Sequence, residues 1–389
     1  MKRPVLTLVL HAVTLFFLTF LMSGNANVLP QLFFQRYYAE QKVLLLAVSL
    51  LLATVAGTLG VLSSRRRRAS QGAVLLGLAA VLAAAASLFS LTWHVGYIAL
   101  TVAIQFGDNY LINQLDHAAV ARVDESRRRL NDVLGNVARL LGMLAAPAFF
   151  TTFYAQRAVL LAGIGLPGLL ALGGAMNLLA SAGERERVDA KSAAGEAGRA
   201  DRLLFGYAVS VYAALYLFAA NMIYLLRDLL LYPNAEVRGG RTIVVVFACA
   251  LAMNAAMAAV RRGTASVRWL QLAAPALVLM VVASLLAAGV RSSFAIFLAG
   301  SGAVGAGHGA FLLEIREYTS RAAQQGRTVL LTWFNNTANV SALIAFALMV
   351  VLAVLHAPYA WTLWLIALLP AGGLALLMSA RRLTGRIQE

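Results

Sequence analysis

Gly183-Glu-Arg-Glu-Arg-Val-Asp-Ala-Lys-Ser-Ala-Ala-Gly-Glu-Ala-Gly-Arg-Ala-Asp-Arg202 interrupts an otherwise oily chain. Its mixed charges, small residues and glycines read as a solvated linker. Before it lie six apolar stretches, at roughly 5–30, 42–63, 73–93, 97–121, 130–153 and 158–181. After it lie six more, at roughly 203–231, 242–260, 268–289, 292–315, 328–355 and 358–379. A helix needs about 20 mostly apolar residues to cross ~30 Å of hydrocarbon, and each stretch comes close to supplying them. The chain therefore reads as an all-α integral membrane protein with twelve transmembrane helices. They fall into two six-helix bundles, 1–182 and 203–389, with 183–202 as a cytoplasmic linker.

Composition agrees. The chain is 61% hydrophobic and 12% charged, against about 25% charged in soluble domains. The net charge of +16 sits in short clusters that occupy alternate gaps: Lys2 and Arg3, Arg65 to Arg68, Arg127 to Arg129, the linker, Arg261 and Arg262, Arg316 and Arg321, then Arg381 and Arg382. By the positive-inside rule those gaps and both termini are cytoplasmic. Such juxtamembrane clusters contact anionic lipid headgroups, so membrane lipids and not nucleic acid are the expected macromolecular surroundings. Cys249 is the only cysteine, which excludes a disulfide framework and a cysteine metal site. The first apolar stretch is longer than the apolar region of about 7–15 residues in a signal peptide, so it reads as a retained helix. Lysine is scarce beside arginine, a composition pointing to a bacterial inner membrane.

The halves echo each other. Arg67-Arg68-Ala69-Ser70 ends the second helix as Arg261-Arg262-Gly263-Thr264-Ala265-Ser266 ends the eighth, 194 residues later. Arg129 opens the fifth helix as Arg327 opens the eleventh, and Leu166-Pro167 lies in the sixth as Leu369-Pro370 lies in the twelfth, at offsets of 198 and 203. Three matches in order at nearly constant spacing indicate internal duplication. Two similar bundles that rock about a midplane site are the material of an alternating-access transporter.

Gly60-Val-Leu-Ser-Ser64-Arg65-Arg66-Arg67-Arg68 resembles the signature loop of the major facilitator superfamily, which reads Gly, three residues, Asp, Arg, any residue, Gly, Arg, Arg/Lys. Ser64 stands at the position of the acid and Arg67 at that of the second glycine. Gly142-Met-Leu-Ala-Ala146-Pro147 resembles the superfamily's antiporter signature, with Ala146 for a glycine and Phe150-Thr151 for the closing glycine pair. The resemblance implies two bundles related by pseudo-two-fold symmetry and a cavity lined by the first, fourth, seventh and tenth helices. It also implies gate or ion-pair roles for Arg65 and Arg68, and it tilts the direction of transport toward export.

Ionisable groups inside hydrocarbon are costly and mark pathways or partners. In the fourth helix Gln105, Asp108, Ile112 and Asp116 share one helical face, and Asn109, Asn113 and His117 form an adjoining strip. Asp108 lies about 17 Å from the outer end of that helix at 1.5 Å per residue, near the midplane. Desolvation disfavours a charged carboxylate, so Asp108 is the leading candidate for proton coupling; the alternative is a structural acid paired with Arg139. Arg139 is the basic residue well inside a span. It pairs with Asp108 or with Asp116, and the sequence leaves both open; unpaired, it would anchor an anionic substrate bidentately.

His308 in the tenth helix is a second coupling candidate, since imidazole titrates near neutral pH, or else a packing residue beside glycines. Glu314 is a third, or a partner in a structural ion pair. Candidate substrate contacts are Asn109, Arg139, Tyr212, Tyr216, Asn221, Asn335 and Asn339, with Asp116 in a gate or ion pair. Asn25 and Asn27 mark the outer end of the first helix, and Tyr224, Arg227 and Asp228 that of the seventh. None of Lys2, Lys42 and Lys191 completes a phosphate-cradling Gly-x-x-x-x-Gly-Lys-Ser/Thr loop. No metal or cofactor is expected.

The expectation is a monomeric, proton-coupled secondary transporter that exports a small organic or amphipathic compound by antiport and is not an enzyme. Two alternatives stand beside it. One is a proton symporter importing an organic anion or metal chelate with Arg139 as anchor. The other is a lipid-handling protein, either a flippase or an acyltransferase built on Asp116-His117.

Overall fold

The computed structural model describes residues 4–25, 29–38, 42–66, 70–123, 125–180, 197–259, 265–290, 293–355 and 357–388. Arg68, Asn27, the linker up to residue 196 and the arginines 67, 261 and 262 lie outside them. Of Arg65, Tyr224 and Asp228 only the backbone is described.

The described chain is helical. The first half contains α1 (Pro4–Ser23), α2 (Leu29–Tyr37), α3 (Lys42–Arg66), α4 (Gln71–Ser87), α5 (His94–Arg122), α6 (Glu125–Phe153) and α7 (Arg157–Ala180). The second half contains α8 (Arg199–Tyr224), α9 (Ala235–Ala259), α10 (Ala265–Ala287), α11 (Phe294–Gln324), α12 (Thr328–Val354) and α13 (Tyr359–Gln388). Twelve of these are the expected spans. The exception is α2, for the stretch read as one helix at 5–30 is divided. Gly24 and Asn25 begin a π-turn, and Pro30 occupies the first turn of α2, where its missing N–H costs nothing.

Among the described residues, ten helices are long and apolar enough to cross a membrane. The two long helices outside that group are α3, whose apolar stretch is Val48–Ser64, and α5, which carries Gln105, Asp108, Asn109, Asn113, Gln114 and Asp116. A helix of that polarity is retained in a membrane protein only where its polar face is covered by protein or water. Pro147, Pro167, Pro275 and Pro370 lie inside helices, a placement that neighbouring helices make tolerable in a bundle.

The chain forms two units. The first takes Met1–Gly195 with Thr319–Asn339; the second takes Glu196–Tyr318 with Val340–Glu389. In the first, α1 packs on α6 and α7, α3 on α5, and α4 on α5 and α7. Phe17, Phe20, Phe33, Phe34 and Phe150 fill its core. Gly60 of α3 lies against the backbone carbonyl of Phe106 in α5, which leaves no room for a side chain. In the second unit α8 and α10 pack on α13, Gly305 and Gly309 of α11 press on the carbonyls of Val246 and Ala250 in α9, and Gly307 meets Pro275 of α10. The helix pairs of the first unit thus recur in order in the second: α1 with α7 as α8 with α13, α4 with α7 as α10 with α13, and α3 with α5 as α9 with α11. Small residues at these crossings let backbones approach where lipid offers no hydrophobic drive for association.

The second unit has its own π-turn. Leu225–Leu229 follows α8 directly, and the Leu230 N–H bonds five residues back to the Leu225 carbonyl at 2.9 Å.

Gly305→Ala drives a methyl into the Val246 carbonyl and lowers stability by about 1–3 kcal/mol, the usual cost of overpacking. Gly372→Ala, with nothing within 4 Å of the new methyl, raises stability by up to about 1 kcal/mol through helix propensity. Thermal unfolding in detergent separates the two.

Candidate functional site

The polar residues of α5 serve two different faces. Toward α1, the Asn25 Nδ2 donates to the Thr101 carbonyl at 3.1 Å and the Gln105 Nε2 to the Met22 carbonyl at 3.2 Å. Toward the 319–339 segment of its own unit, the strip Asn109, Asn113, His117 meets an antiparallel set on α12. Asn339 Nδ2 donates to Asn109 Oδ1 at 2.7 Å, Asn335 Nδ2 donates to Asn113 Oδ1 at 2.9 Å, and His117 Nε2 lies 3.0 Å from Thr332 Oγ1. One helical turn on α5 matches about one on α12, so the three contacts form a ladder.

The ladder is braced from α3. Asn113 Nδ2 donates to Ser64 Oγ at 2.6 Å and Gln114 Nε2 to the Ser64 carbonyl at 2.8 Å. Gly57 faces the upper rung, and a Cβ there would stand 2.7 Å from Asn339 Oδ1 and 2.9 Å from Asn109 Nδ2. Beyond the last rung the Ser320 hydroxyl donates to Asp132 Oδ1 at 2.7 Å, and Arg128 donates to Gln324 Oε1 at 2.8 Å.

The two aspartates of α5 have opposite surroundings. Asp116 is fully buried and accepts from the Arg139 guanidinium of α6. This answers the pairing that the sequence left open. His11 of α1 lies on the other side of the same carboxylate, with Nε2 3.5 Å from Asp116 Oδ1, and its Nδ1 is 3.0 Å from Asn131 Oδ1 of α6. The result is a row, Asn131, His11, Asp116, Arg139, drawn from three helices and buried up to the partly exposed guanidinium. Asp108 is also fully buried, and neither of its carboxylate oxygens has a hydrogen-bond partner among the described residues.

In the second unit His308 is buried and its ring meets that of Tyr212 edge-on at 5.1 Å between centroids; Phe311 lies against both, at 6.4 and 5.7 Å. His308 Nδ1 and Ser301 Oγ have no hydrogen-bond partner among the described residues. Tyr216 packs near Phe346 at 6.4 Å, and Asn221 Nδ2 donates to its own helix at the Leu217 carbonyl, 2.8 Å away. Glu314 lies 3.9 Å from Arg268 Nε in a partly buried ion pair.

Seven of the sequence-derived candidates therefore fall into three groups, while Asp108, Tyr216, Asn221 and Glu314 have the separate surroundings just given. Asn109, Asn335 and Asn339 are joined in the ladder, Asp116 and Arg139 in the buried row, and Tyr212 and His308 in an aromatic cluster. Arg65 lies in the last turn of α3, and Arg68 lies outside the described residues. His11 was missed as a member of a cluster, although an ionisable residue inside the first apolar stretch meets the same criterion that selected Asp108.

No family model matches the sequence, nor does any curated protein. Solved structures do. The human organic anion transporter MFSD10 (TETRAN) superposes with a TM-score of 0.70 at 13% identity, over 98% of this chain and 100% of that one. A bacterial homologue of the iron transporter ferroportin, crystallised in an outward-facing state, superposes with a TM-score of 0.71 at 15% identity, again over 98% and 100%. The fold is that of the major facilitator superfamily. Within that fold the altered signature residues keep local tasks. Ser64, at the signature acid's position, fastens α3 to α5 through Asn113 and Gln114. Gly142, which opens the antiporter-like segment, lets α6 approach the α1 backbone, for a Cβ there would stand 2.7 Å from the Phe16 carbonyl oxygen.

Proposed function

We propose that the chain is a secondary transporter of the major facilitator type, coupling proton movement at Asp108 to the passage of a small organic or amphipathic compound, with export by antiport as its direction. The observation that carries the proposal is the contrast within α5. Asp116 has a guanidinium to balance it, whereas Asp108 is buried with neither oxygen hydrogen-bonded. A carboxylate without partners is expensive in hydrocarbon, so a conformational change that wets Asp108 on alternate sides makes it a proton exchanger. In the second unit Tyr212 is the proposed substrate contact, offering aromatic area with a polar edge, and His308 beside it is the proposed second coupling residue. We place the protein in the inner membrane with both termini cytoplasmic.

The two structural neighbours are named for different cargoes, an organic anion and iron, and one fold hosting both leaves cargo to the site residues. An anion-import reading needs an uncommitted Arg139, and Asp116 engages that guanidinium.

Liposomes containing the protein and a trapped pH dye test the reading, with ethidium as an amphipathic cation and a sulfonated fluorophore as an organic anion. Movement of either probe against an opposing proton gradient, absent from protein-free liposomes, supports antiport. Movement along with the protons reverses the direction, and probe flux indifferent to the gradient removes proton coupling.

A further inference from the structure

Between the end of α1 and the face of α5 lie oxygen atoms that no donor reaches. Gln105 Nε2 donates to the Met22 carbonyl at 3.2 Å, and Asn25 Nδ2 donates to the Thr101 carbonyl at 3.1 Å. A carbonyl can only accept, so the sense of the Asn25 amide is fixed. Its oxygen is left over: Asn25 is 2% exposed, and Oδ1 has no hydrogen-bond partner among the described residues. The Thr101 hydroxyl, on a residue 0% exposed, is likewise without one. One turn along α5, Gln105 Oε1 accepts from Asn109 Nδ2 at 3.3 Å, and an amide oxygen has room for two such contacts.

The second half carries the same turn without the same chemistry. Gly107 of α5 meets Val81 of α4 as Gly307 of α11 meets Pro275 of α10, which sets the two helices in register at an offset of 307 − 107, or 200. At that offset Thr101 corresponds to Ser301, Asp108 to His308 and Asn25 to Leu225. Leu225 opens its own π-turn, and the carbonyls of Leu225 and Leu226 accept from the N–H groups of Leu230 and Tyr232 at 2.9 and 2.8 Å. The turn therefore forms without an asparagine. In the first half the amide has some other task.

An acceptor without a donor suits a cation, and the protein supplies none of its own at this place. No basic side chain occurs in 12–25 of α1 and the turn after it, in 43–64 of α3 or in 95–116 of α5. From α6, Phe150 lies against Gly24, and residues 140–153 hold no ionisable group. The nearest cations in sequence are directed elsewhere: Arg36 of α2 is exposed over the Tyr37 ring at 5.4 Å, and Arg157 at the start of α7 is exposed. A helix C-terminus also carries the negative end of its dipole and carbonyls without intrahelical donors. Broken membrane helices hold sodium in this way. Asp108 is the acid on the same face of α5, seven residues inward, or about 10 Å at 1.5 Å per residue. A single carboxylate balances a single positive charge, and donors that are all oxygen select a hard ion.

We propose that Asn25 Oδ1, Thr101 Oγ1 and Gln105 Oε1, with the carbonyls at the end of α1, form a seat for a sodium ion whose charge is balanced by Asp108. The ion fastens the end of α1 to α5. It belongs to the first half alone, because the second has leucine in place of the amide and imidazole in place of the acid. The site goes beyond the transport reading and does not rest on it.

The test is the thermal midpoint of the full-length protein in detergent, with sodium chloride exchanged for choline chloride at constant ionic strength. Sodium is expected to raise the midpoint saturably, as any ligand that binds only the folded state does. Thr101→Val, which keeps the shape and removes the oxygen, and Asn25→Leu, which installs the residue of the second half, are each expected to lose that increment. Ser301→Ala, at the matching place in the second half, keeps it. The increment is read against each variant's own midpoint in choline, so a variant that is merely less stable does not imitate the result. Asp108→Asn lowers the affinity for sodium by about ten-fold, the scale of one unit charge about 10 Å away at an effective dielectric of about 20. An increment absent from the wild type, undiminished in both Thr101→Val and Asn25→Leu, or lost equally in Ser301→Ala overturns the proposal. Calcium binding more tightly than sodium overturns the choice of a monovalent ion. Flux without proton coupling would defeat the transport reading and leave the sodium increment standing, so the two fail separately.

Discussion

Arg139→Met destabilises the protein by about 3–5 kcal/mol, and adding Asp116→Leu to it restores most of the loss. The asymmetry follows from burial. Asp116 is wholly enclosed and its charge is answered by the guanidinium; with Arg139 gone, the carboxylate stays enclosed without the cation that balances it. Removing both partners strands nothing, because the apolar pair fills a similar volume. The measurement is the thermal midpoint of detergent-solubilised single and double variants, with the coupling energy taken from the complete cycle. Equal losses in the Arg139→Met and double variants would mean that Arg139 acts through packing of its stem alone.

Asp108→Asn behaves in the opposite way: folding is retained and proton-driven flux falls by about 100-fold or more, the scale of losing one acid–base group. The side chain keeps its size and loses only its capacity to exchange a proton. Since neither oxygen of Asp108 accepts a hydrogen bond among the described residues, the substitution breaks no contact that the fold depends on. Flux driven by probe concentration alone survives in this variant, which separates coupling from passage. Undiminished acidification of the liposome lumen in Asp108→Asn would remove this residue from the proposed mechanism. Read together, the two aspartates of one helix predict a stability defect without its partner at residue 116 and a coupling defect without a stability change at residue 108.

Much of the architecture was legible in the residues. Hydrophobic length and the alternation of arginine clusters gave the spans, because the bilayer imposes both directly. The break at Asn25 escaped the reading of 5–30 as one helix: the dip in hydropathy over Ser23-Gly24-Asn25 is too short to end a span by length alone, and Pro30 suits a new helix start. The polar strip Asn109, Asn113, His117 was visible as a face from its spacing of four, but its partners Asn339, Asn335 and Thr332 lie more than two hundred residues away, and periodicity carries no information about which distant helix a face meets. The choice between Asp108 and Asp116 for Arg139 failed for a related reason. Rise per residue gives depth along a helix, and both acids lie within reach at that resolution; rotation toward α6 decides, and packing sets rotation. His11 needed the same tertiary knowledge, since it becomes chemically interesting only beside Asp116.

The paired π-turns carry a message about descent. A π-turn holds one residue more than the α-helical turn it replaces. Irregular turns begin at Gly24 beyond α1 and at Leu225 beyond α8, a separation close to the other correspondences between the halves. One such residue held by a six-helix unit before it was copied would leave an irregular turn after the first helix of each half, as both halves have.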